Sequence, residues 1–154
     1  MKTIDIYENM SKIPYGRNLF TSFLCLKAPY FSTISPTIHD LKKGYARASI
    51  KKRRKIENHI GTVHAIAMCN LAELVGGLMT EVSIPSHIRW IPSGMNVEYL
   101  AKATTNLTAI ADGTNINWDQ IGDVVVPVEV KDSKDQTVFK ANITMFLSQK
   151  KPRN

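Results

Sequence analysis

The longest apolar stretch of the chain lies near its centre, between residues 66 and 79. Apolar residues occupy nearly every position, and only Asn70 and Glu73 interrupt them. A helix that is apolar on all sides is normally buried. The pattern therefore predicts a long core helix, which starts near His64 and cannot continue through Pro85. A carboxylate inside such a helix is costly unless it is paired or neutral, which makes Glu73 the first candidate functional residue.

On both sides of this helix, apolar and polar residues alternate as they do in strands with one buried face. Before the helix, the pattern predicts strands over residues 33–41, with Pro36 at an edge or bulge, and 45–52. After it, we expect strands over 95–103 and 105–111, followed by two strands that share a long hairpin. The inward positions of that hairpin are Val124, Val126, Val128, Val130, Phe139, Ala141, Ile143, Met145 and Leu147. Links of hairpin length imply antiparallel pairing. The predicted class is α+β, with a curved antiparallel sheet of about six strands wrapped around one helix.

The chain of 154 residues is long enough for one domain with a real core. Residues 1–30 are predicted to form a helical segment, including an amphipathic helix over residues 18–27 that ends before Pro29. We assign residues 31–149 to the core of a single domain, 1–154, and residues 150–154 to a solvated tail.

Composition and local sequence add four constraints. Hydrophobic residues at 44% and charged residues at 21% are ordinary for a globular protein. Cys25 and Cys69 show no CxxC spacing and are predicted to be reduced core residues in a reducing compartment. The N-terminus lacks the continuous apolar region of a secretory signal, so we expect a cytoplasmic protein. The apolar run from His64 to Met79 would span roughly 24 Å as a helix, short of a bilayer core of about 30 Å, so we expect no membrane span.

The formal charge of +7 favours an anionic partner. Residues 51–55, with the sequence KKRRK, concentrate that charge. This run is interpreted as a solvated strand end, as a contact to phosphates of a ligand through Lys55, or as a surface for nucleic acid or membrane. It lacks interleaved aromatic residues and any nucleic-acid-binding motif, so no nucleic acid and no membrane partner is expected.

The turn before the helix carries a recognisable pattern. Asn58, Gly61, His64 and Glu73 are spaced as N-x-x-G-x-x-H-x(8)-E. In this pattern the chain resembles hotdog-fold acyl-coenzyme A thioesterases of the phenylacetate-pathway type, over roughly residues 30–149. Residues 90–103 further resemble an uncharacterised branch of that superfamily. The chain departs from the family's His-Gly-Gly, since His64 is followed by Ala65 and Ile66. Ala65 keeps the backbone N–H that the first glycine supplies, whereas Ile66 adds bulk.

The resemblance implies a hotdog fold, acyl-CoA as substrate, and a homodimer or dimer of dimers whose sites lie between subunits. It implies that the N–H of Ala65 receives the thioester oxygen and that Glu73 acts as general base or as nucleophile; the two roles stay open. Asn58 would orient the thioester or the water, and His64 would hold the turn or take part in catalysis. The expected substrate-binding residues are Gly61, Asn70 and Lys55. No cofactor is expected beyond the coenzyme A of the substrate.

Two alternatives on the same fold are weighed against the hydrolase. A non-catalytic acyl-CoA or acyl-carrier binding protein would keep the same fold, because fold does not fix function. A hotdog dehydratase resembles a His-x(4)-Pro-Gly pattern, and no Pro-Gly follows His59 or His64. A metalloenzyme is not indicated, since no His/Cys cluster has the spacing of a metal site.

Overall fold

The computed structural model describes residues 2–151. Six strands form one antiparallel sheet in the order β1-β2-β4-β5-β6-β3. They are β1 (Thr37–Lys42), β2 (Tyr45–Ile50), β3 (Ile88–Tyr99), β4 (Leu107–Asp112), β5 (Gly122–Lys131) and β6 (Thr137–Gln149). The long helix α3 (Ala65–Ser83) packs on the sheet, between β2 and β3 in the sequence. The predicted α+β class and hotdog architecture are confirmed.

The core follows from the alternation in the strands. All four valines predicted to face inward on β5 are buried, as are the five predicted residues of β6. Helix α3 lies close to these strands because Gly76 has no Cβ. An added methyl group there would lie 2.9 Å from the Cδ1 atom of Ile143. The two glycines of α3 therefore permit close packing: the same addition at Gly77 would lie 2.9 Å from Cη2 of Trp90.

The N-terminal segment contains two helices, α1 (Thr3–Ser11) and α2 (Gly16–Lys27), followed by a 3-10 helix at Pro29–Ile34. Tyr7 of α1 meets the ring of Phe20 edge-on at 5.2 Å and donates a hydrogen bond of 2.8 Å to the carbonyl of His39. These contacts fix the helical pair against β1. Apolar residues on the outer side of α2 remain exposed, so only part of its predicted apolar face packs inward: Leu19, Phe23 and Leu26.

Two predicted strands are wrong in extent. The segment predicted to start β1 at Thr33 is the 3-10 helix, and β1 begins only at Thr37. The strand predicted over 95–103 is instead β3, which begins at Ile88 and ends at Tyr99. Pro92 is tolerated inside β3 because this strand pairs only with β6 and forms an edge of the sheet. The final part of the predicted tail, 152–154, lies outside the described residues.

The helix α3 is long and apolar enough to cross a membrane by length and composition alone. However, 67% of that window is buried against the rest of the fold. It is therefore the core helix that the sequence predicts.

Candidate active site at the start of the central helix

The turn before α3 is organised by Asn58. Its Oδ1 atom accepts hydrogen bonds of 3.1 Å from the backbone N–H groups of Ile60 and Thr62, and its Nδ2 donates to the Thr62 hydroxyl at 2.8 Å. Gly61 adopts φ +75°, a conformation that favours glycine. Since the side-chain amide has two N–H donors, one remains for a ligand. Asn58 thus builds the turn first, and its contact with a substrate stays a prediction.

His64 is the N-cap of α3. Its Nδ1 atom accepts a hydrogen bond of 3.1 Å from the N–H of Ile66, and its carbonyl accepts from Ala67 at 3.0 Å. The N–H of His64 itself donates to the carbonyl of Ile56 at 2.8 Å. Because Nδ1 is an acceptor, the ring proton lies on Nε2 in the neutral imidazole. This geometry supports the structural role of His64 rather than a catalytic one.

These bonds single out the N–H of Ala65. The backbone donors on both sides of it are used, whereas no acceptor within residues 2–151 takes the N–H of Ala65. The first N–H groups of a helix have no partners within the helix and lie at the positive end of its dipole. Ala65 therefore presents a free donor where a partial negative charge is stabilised.

Two clefts flank this donor. One, of about 360 Å³, is lined by Asn58, Ala65, Tyr99 and Lys102, among others. The other, of about 220 Å³, lies between the start of α3 and the 3-10 helix Pro29–Ile34. Its walls include His64, Asn70 and Lys55, together with the apolar side chains of Ile34, Ile56 and Ile66. Five of the predicted site residues are thus divided between the two sides of the helix start, whereas Glu73 and Gly61 line neither cleft.

Glu73 is not fully buried, contrary to the expectation from its apolar neighbours. It lies on the one side of α3 that the sheet and the 3-10 helix leave open. Ile66, which is 53% exposed, and the half-buried Cys69 share that side. No hydrogen bond or ion pair holds the Glu73 carboxylate among the residues that the structure describes. The sequence could not reveal this opening, because the residues exposed on this side of α3 are as apolar as those of the core.

Cys69 contacts a residue that the sequence pattern did not single out. Its Sγ atom lies 3.5 Å from the hydroxyl of Tyr99, which is itself 50% exposed. This contact, with a smaller effect of burial, raises the pKa of Tyr99 to about 12. Cys69 follows Ala65 by one helical turn, and Tyr99 lines the larger cleft together with Ala65. Both cysteines are half-buried rather than core residues. For Cys25, partial burial raises the pKa of the thiol.

Asn70 is 5% exposed and lines the smaller cleft. Its Nδ2 donates to the Thr33 hydroxyl at 3.2 Å, while its Oδ1 is buried without a partner. It ties α3 to the 3-10 helix. Gly61, in contrast, is exposed and lines neither of the two clefts.

The basic run at residues 51–55 is partly structural. Lys52 forms an ion pair of 2.8 Å with Glu57, and Arg53 donates to the carbonyl of Thr33 and the hydroxyl of Ser35. The remaining cations are exposed, and Lys55 borders the smaller cleft. Within residues 2–151, no group of three or more His, Cys, Asp or Glu side chains is placed to hold a metal ion.

The comparisons with known proteins agree with this fold. A crystal structure of a structural-genomics target shares 47% sequence identity and a TM-score of 0.88, over 96% of this chain and 99% of that one. A thioesterase from Haemophilus influenzae has 16% identity and a TM-score of 0.72, over 82% and 86% of the two chains. A mutant thioesterase from Staphylococcus aureus has 20% identity and a TM-score of 0.69, over 78% and 98%. Among curated proteins, none matches the chain.

The chain thus has the hotdog fold that these thioesterases share. More narrowly, it belongs to the DUF4442 family, which is described as a domain of unknown function. The model of this family matches residues 16–147 of the chain. The resemblance recognised in the sequence is confirmed at the level of this fold and of an uncharacterised thioesterase-like branch.

Proposed function

We propose that the protein is an acyl-CoA thioesterase. The observation that carries this proposal is the free N–H of Ala65 at the positive end of α3, between neighbours whose own donors are used. A thioester carbonyl seated there gains negative charge on its oxygen during hydrolysis. Because the charge on the oxygen grows as the reaction proceeds, a fixed N–H donor stabilises the transition state more than the ground state. This difference is what lowers the barrier.

Glu73 supplies the second group. As general base it removes a proton from water, whose oxygen attacks the thioester carbon; as nucleophile its own oxygen attacks and forms an anhydride that water then hydrolyses. In both routes the carbonyl oxygen becomes the oxyanion and coenzyme A leaves as its thiol. The open position of Glu73 on α3 supports either role, because water and substrate have access to the carboxylate.

One chain does not bring these two groups together. Ala65 and Glu73 are separated by eight residues, or about 12 Å along the helix axis. A single thioester carbon does not reach both. We therefore propose that Glu73 of one subunit and the Ala65 N–H of another act on the same thioester, in a homodimer or a dimer of dimers.

The surface around the site supports such an assembly. Strand β3 has twelve residues and pairs with β6 alone, so its other edge offers unpaired backbone groups. Large apolar side chains are exposed near the helix start and the end of β3: Ile60, Ile66, Tyr99 and Leu100. Apolar surface of this kind is typical of protein interfaces.

The two clefts suggest how the substrate lies. With the carbonyl at Ala65, the larger cleft beside Asn58 and Lys102 takes the polar pantetheine arm. The smaller cleft, with its isoleucine walls and Asn70 at its side, takes the acyl group. Its volume of about 220 Å³ favours short acyl groups over long chains. In this arrangement Lys55 borders the acyl cleft, and Gly61 contributes through the shape of the turn.

The experiment is hydrolysis of a panel of short, long and aromatic acyl-CoAs by the purified protein. Loss of the thioester absorbance is the better readout, because the two free cysteines of the chain react with thiol reagents. We expect turnover of at least one short acyl-CoA and its loss in Glu73→Gln, which keeps the size of the side chain. Glu8→Gln, at an exposed glutamate of α1 that lines none of the clefts described here, is the matched control. Turnover that survives Glu73→Gln contradicts the proposed role.

A non-catalytic acyl-CoA binding protein is the second candidate. The position of Ile66 favours it, since a bulky, 53% exposed side chain stands where the thioesterase pattern has glycine. Binding of acyl-CoAs without turnover across the whole panel would identify this function. If the protein only binds acyl-CoA, the Ile66→Gly variant is also expected to show no turnover.

A further inference from the structure

A second cavity lies far from the start of α3, and the proposed hydrolysis does not use it. It has a volume of about 500 Å³ and sits at the opposite end of that helix, between α1 and the beginning of β3. Three cationic side chains, Lys2, Arg89 and Lys150, line it, and Glu81 is the only carboxylate among its lining residues. The sequence pattern gave no sign of it, because these residues come from three distant parts of the chain.

The cations in this cavity are not neutralised by the protein. Lys150 donates to the carbonyl of Ser86 at 2.7 Å and Arg89 donates through Nε to the Ser148 hydroxyl at 3.0 Å, which are both neutral partners. Neither these two nor Lys2 forms an ion pair among residues 2–151. The negative end of α3 contributes only about half an elementary charge. Three cations against Glu81 and this partial charge leave a positive balance above one charge.

The cavity also contains an aromatic surface that is held in place. The indole N–H of Trp90 donates to Glu81 at 2.8 Å, and the far edge of the ring lies against Gly77. The Thr3 hydroxyl contacts the other oxygen of Glu81 at 3.5 Å. The carboxylate is therefore occupied in fixing Trp90, while the terminal nitrogens of the guanidinium of Arg89 stay free. Cations beside an ordered aromatic ring suit a ligand with phosphates and a flat base.

We propose that this cavity binds the phosphorylated nucleotide of the acyl-CoA substrate. The proposal rests on the thioesterase function above. The cavity begins at Glu81, eight residues and about 12 Å along α3 from Glu73. The extended pantetheine arm is long enough to span that distance between the thioester and the first phosphate. The subunit that contributes Glu73 would thus also hold the nucleotide of the same substrate molecule.

Calorimetric titration with adenosine 3′,5′-bisphosphate tests the cavity without any need for turnover. Wild-type protein is expected to bind this nucleotide. Arg89→Gln and Lys150→Gln are expected to weaken binding about tenfold each, as charge-assisted hydrogen bonds to phosphate are lost. Both side chains are exposed, so folding should tolerate either change. Lys134→Gln, in the exposed hairpin loop, is the matched control that should bind like wild type.

Several results would overturn the proposal: no binding to wild-type protein, wild-type affinity in both variants, or adenosine without phosphates binding as tightly as the bisphosphate. Inorganic phosphate that competes as strongly as the nucleotide would show a simple anion site and also overturn it. In the active enzyme, we expect Arg89→Gln to raise the KM for acyl-CoA while kcat stays unchanged, and to leave hydrolysis of an acyl-pantetheine unaltered. An unchanged KM would place the nucleotide elsewhere, for example at Lys55. If no acyl-CoA is hydrolysed at all, the thioesterase function fails, and the titration still decides about the cavity.

Discussion

The free N–H of Ala65 can be removed by a single substitution. Proline has no N–H and is well tolerated at the first position of a helix, which Ala65 occupies. The residue before a proline must be extended, and His64 already has φ −63° and ψ 140°. Ala65→Pro therefore deletes one donor while leaving the hydrogen bonds of its neighbours in place.

The expected effects on stability and on activity differ sharply. No intramolecular hydrogen bond is lost, so the free energy of unfolding should change by less than about 1 kcal/mol. Loss of a single oxyanion donor should lower kcat by about 10²–10³-fold, or roughly 3–4 kcal/mol in the barrier. Binding of acyl-CoA in the ground state should change little, because the donor acts mainly on charge that develops in the transition state.

Urea unfolding and acyl-CoA hydrolysis, measured on the same preparations, separate these effects. Ala65→Ser is the control, because it changes the side chain but keeps the N–H. We expect it to retain most of the turnover. If Ala65→Pro is folded and hydrolyses acyl-CoA at the wild-type rate, this N–H is not the oxyanion donor. If the variant loses several kcal/mol of stability, the assignment of a free N–H at this position is itself wrong.

Two further predictions concern the surroundings of this donor. His64→Ala removes the acceptor that caps the Ile66 N–H and should cost about 1 kcal/mol of unfolding free energy in a urea titration, whereas His64→Asn should keep most of it; equal stability of His64→Ala and wild type would contradict the cap. Cys69→Ala should lower the pKa of Tyr99 from about 12 towards its usual value, as measured by phenolate absorbance. Because the raised pKa lets the folded state keep a proton that the unfolded chain loses, this contact should stabilise the wild type below pH 10 and lose its effect as the pH rises to about 12. An unchanged titration in Cys69→Ala would show that burial, and not the thiol, causes the shift.

Much of the fold could be predicted because its core follows simple periodicities. The alternation in β5 and β6 predicted every inward residue correctly, because one face of each strand is apolar and the other is more polar. The edge strand β3 was harder. Pro92 and a bulge near Gly94 interrupt its pattern, and neither side of an edge strand is buried enough to alternate clearly.

The candidate site was predictable only as a set of residues. The spacing of Asn58, His64 and Glu73 identified the helix start, but not that the first two side chains are occupied in building the turn and the cap. The open position of Glu73 follows from how α3 lies between the edge strand and the 3-10 helix, which is a tertiary property. The cation-lined cavity at the other end of α3 likewise depends on residues that only the fold brings together.

The central claim is that the N–H of Ala65 and the carboxylate of Glu73 act on one thioester from two different subunits. Mixing two inactive variants tests it directly. When Ala65→Pro and Glu73→Gln chains are unfolded together and refolded as a mixture, each mixed dimer contains one site with both groups intact.

Hydrolysis by the mixture is the decisive measurement, with each variant refolded alone as the control. Random pairing makes half of the dimers mixed, each with one intact site of two, so a two-fold symmetric dimer should recover about a quarter of the wild-type rate. A mixture that stays as inactive as the separate variants, although mixed dimers form, would contradict the shared site.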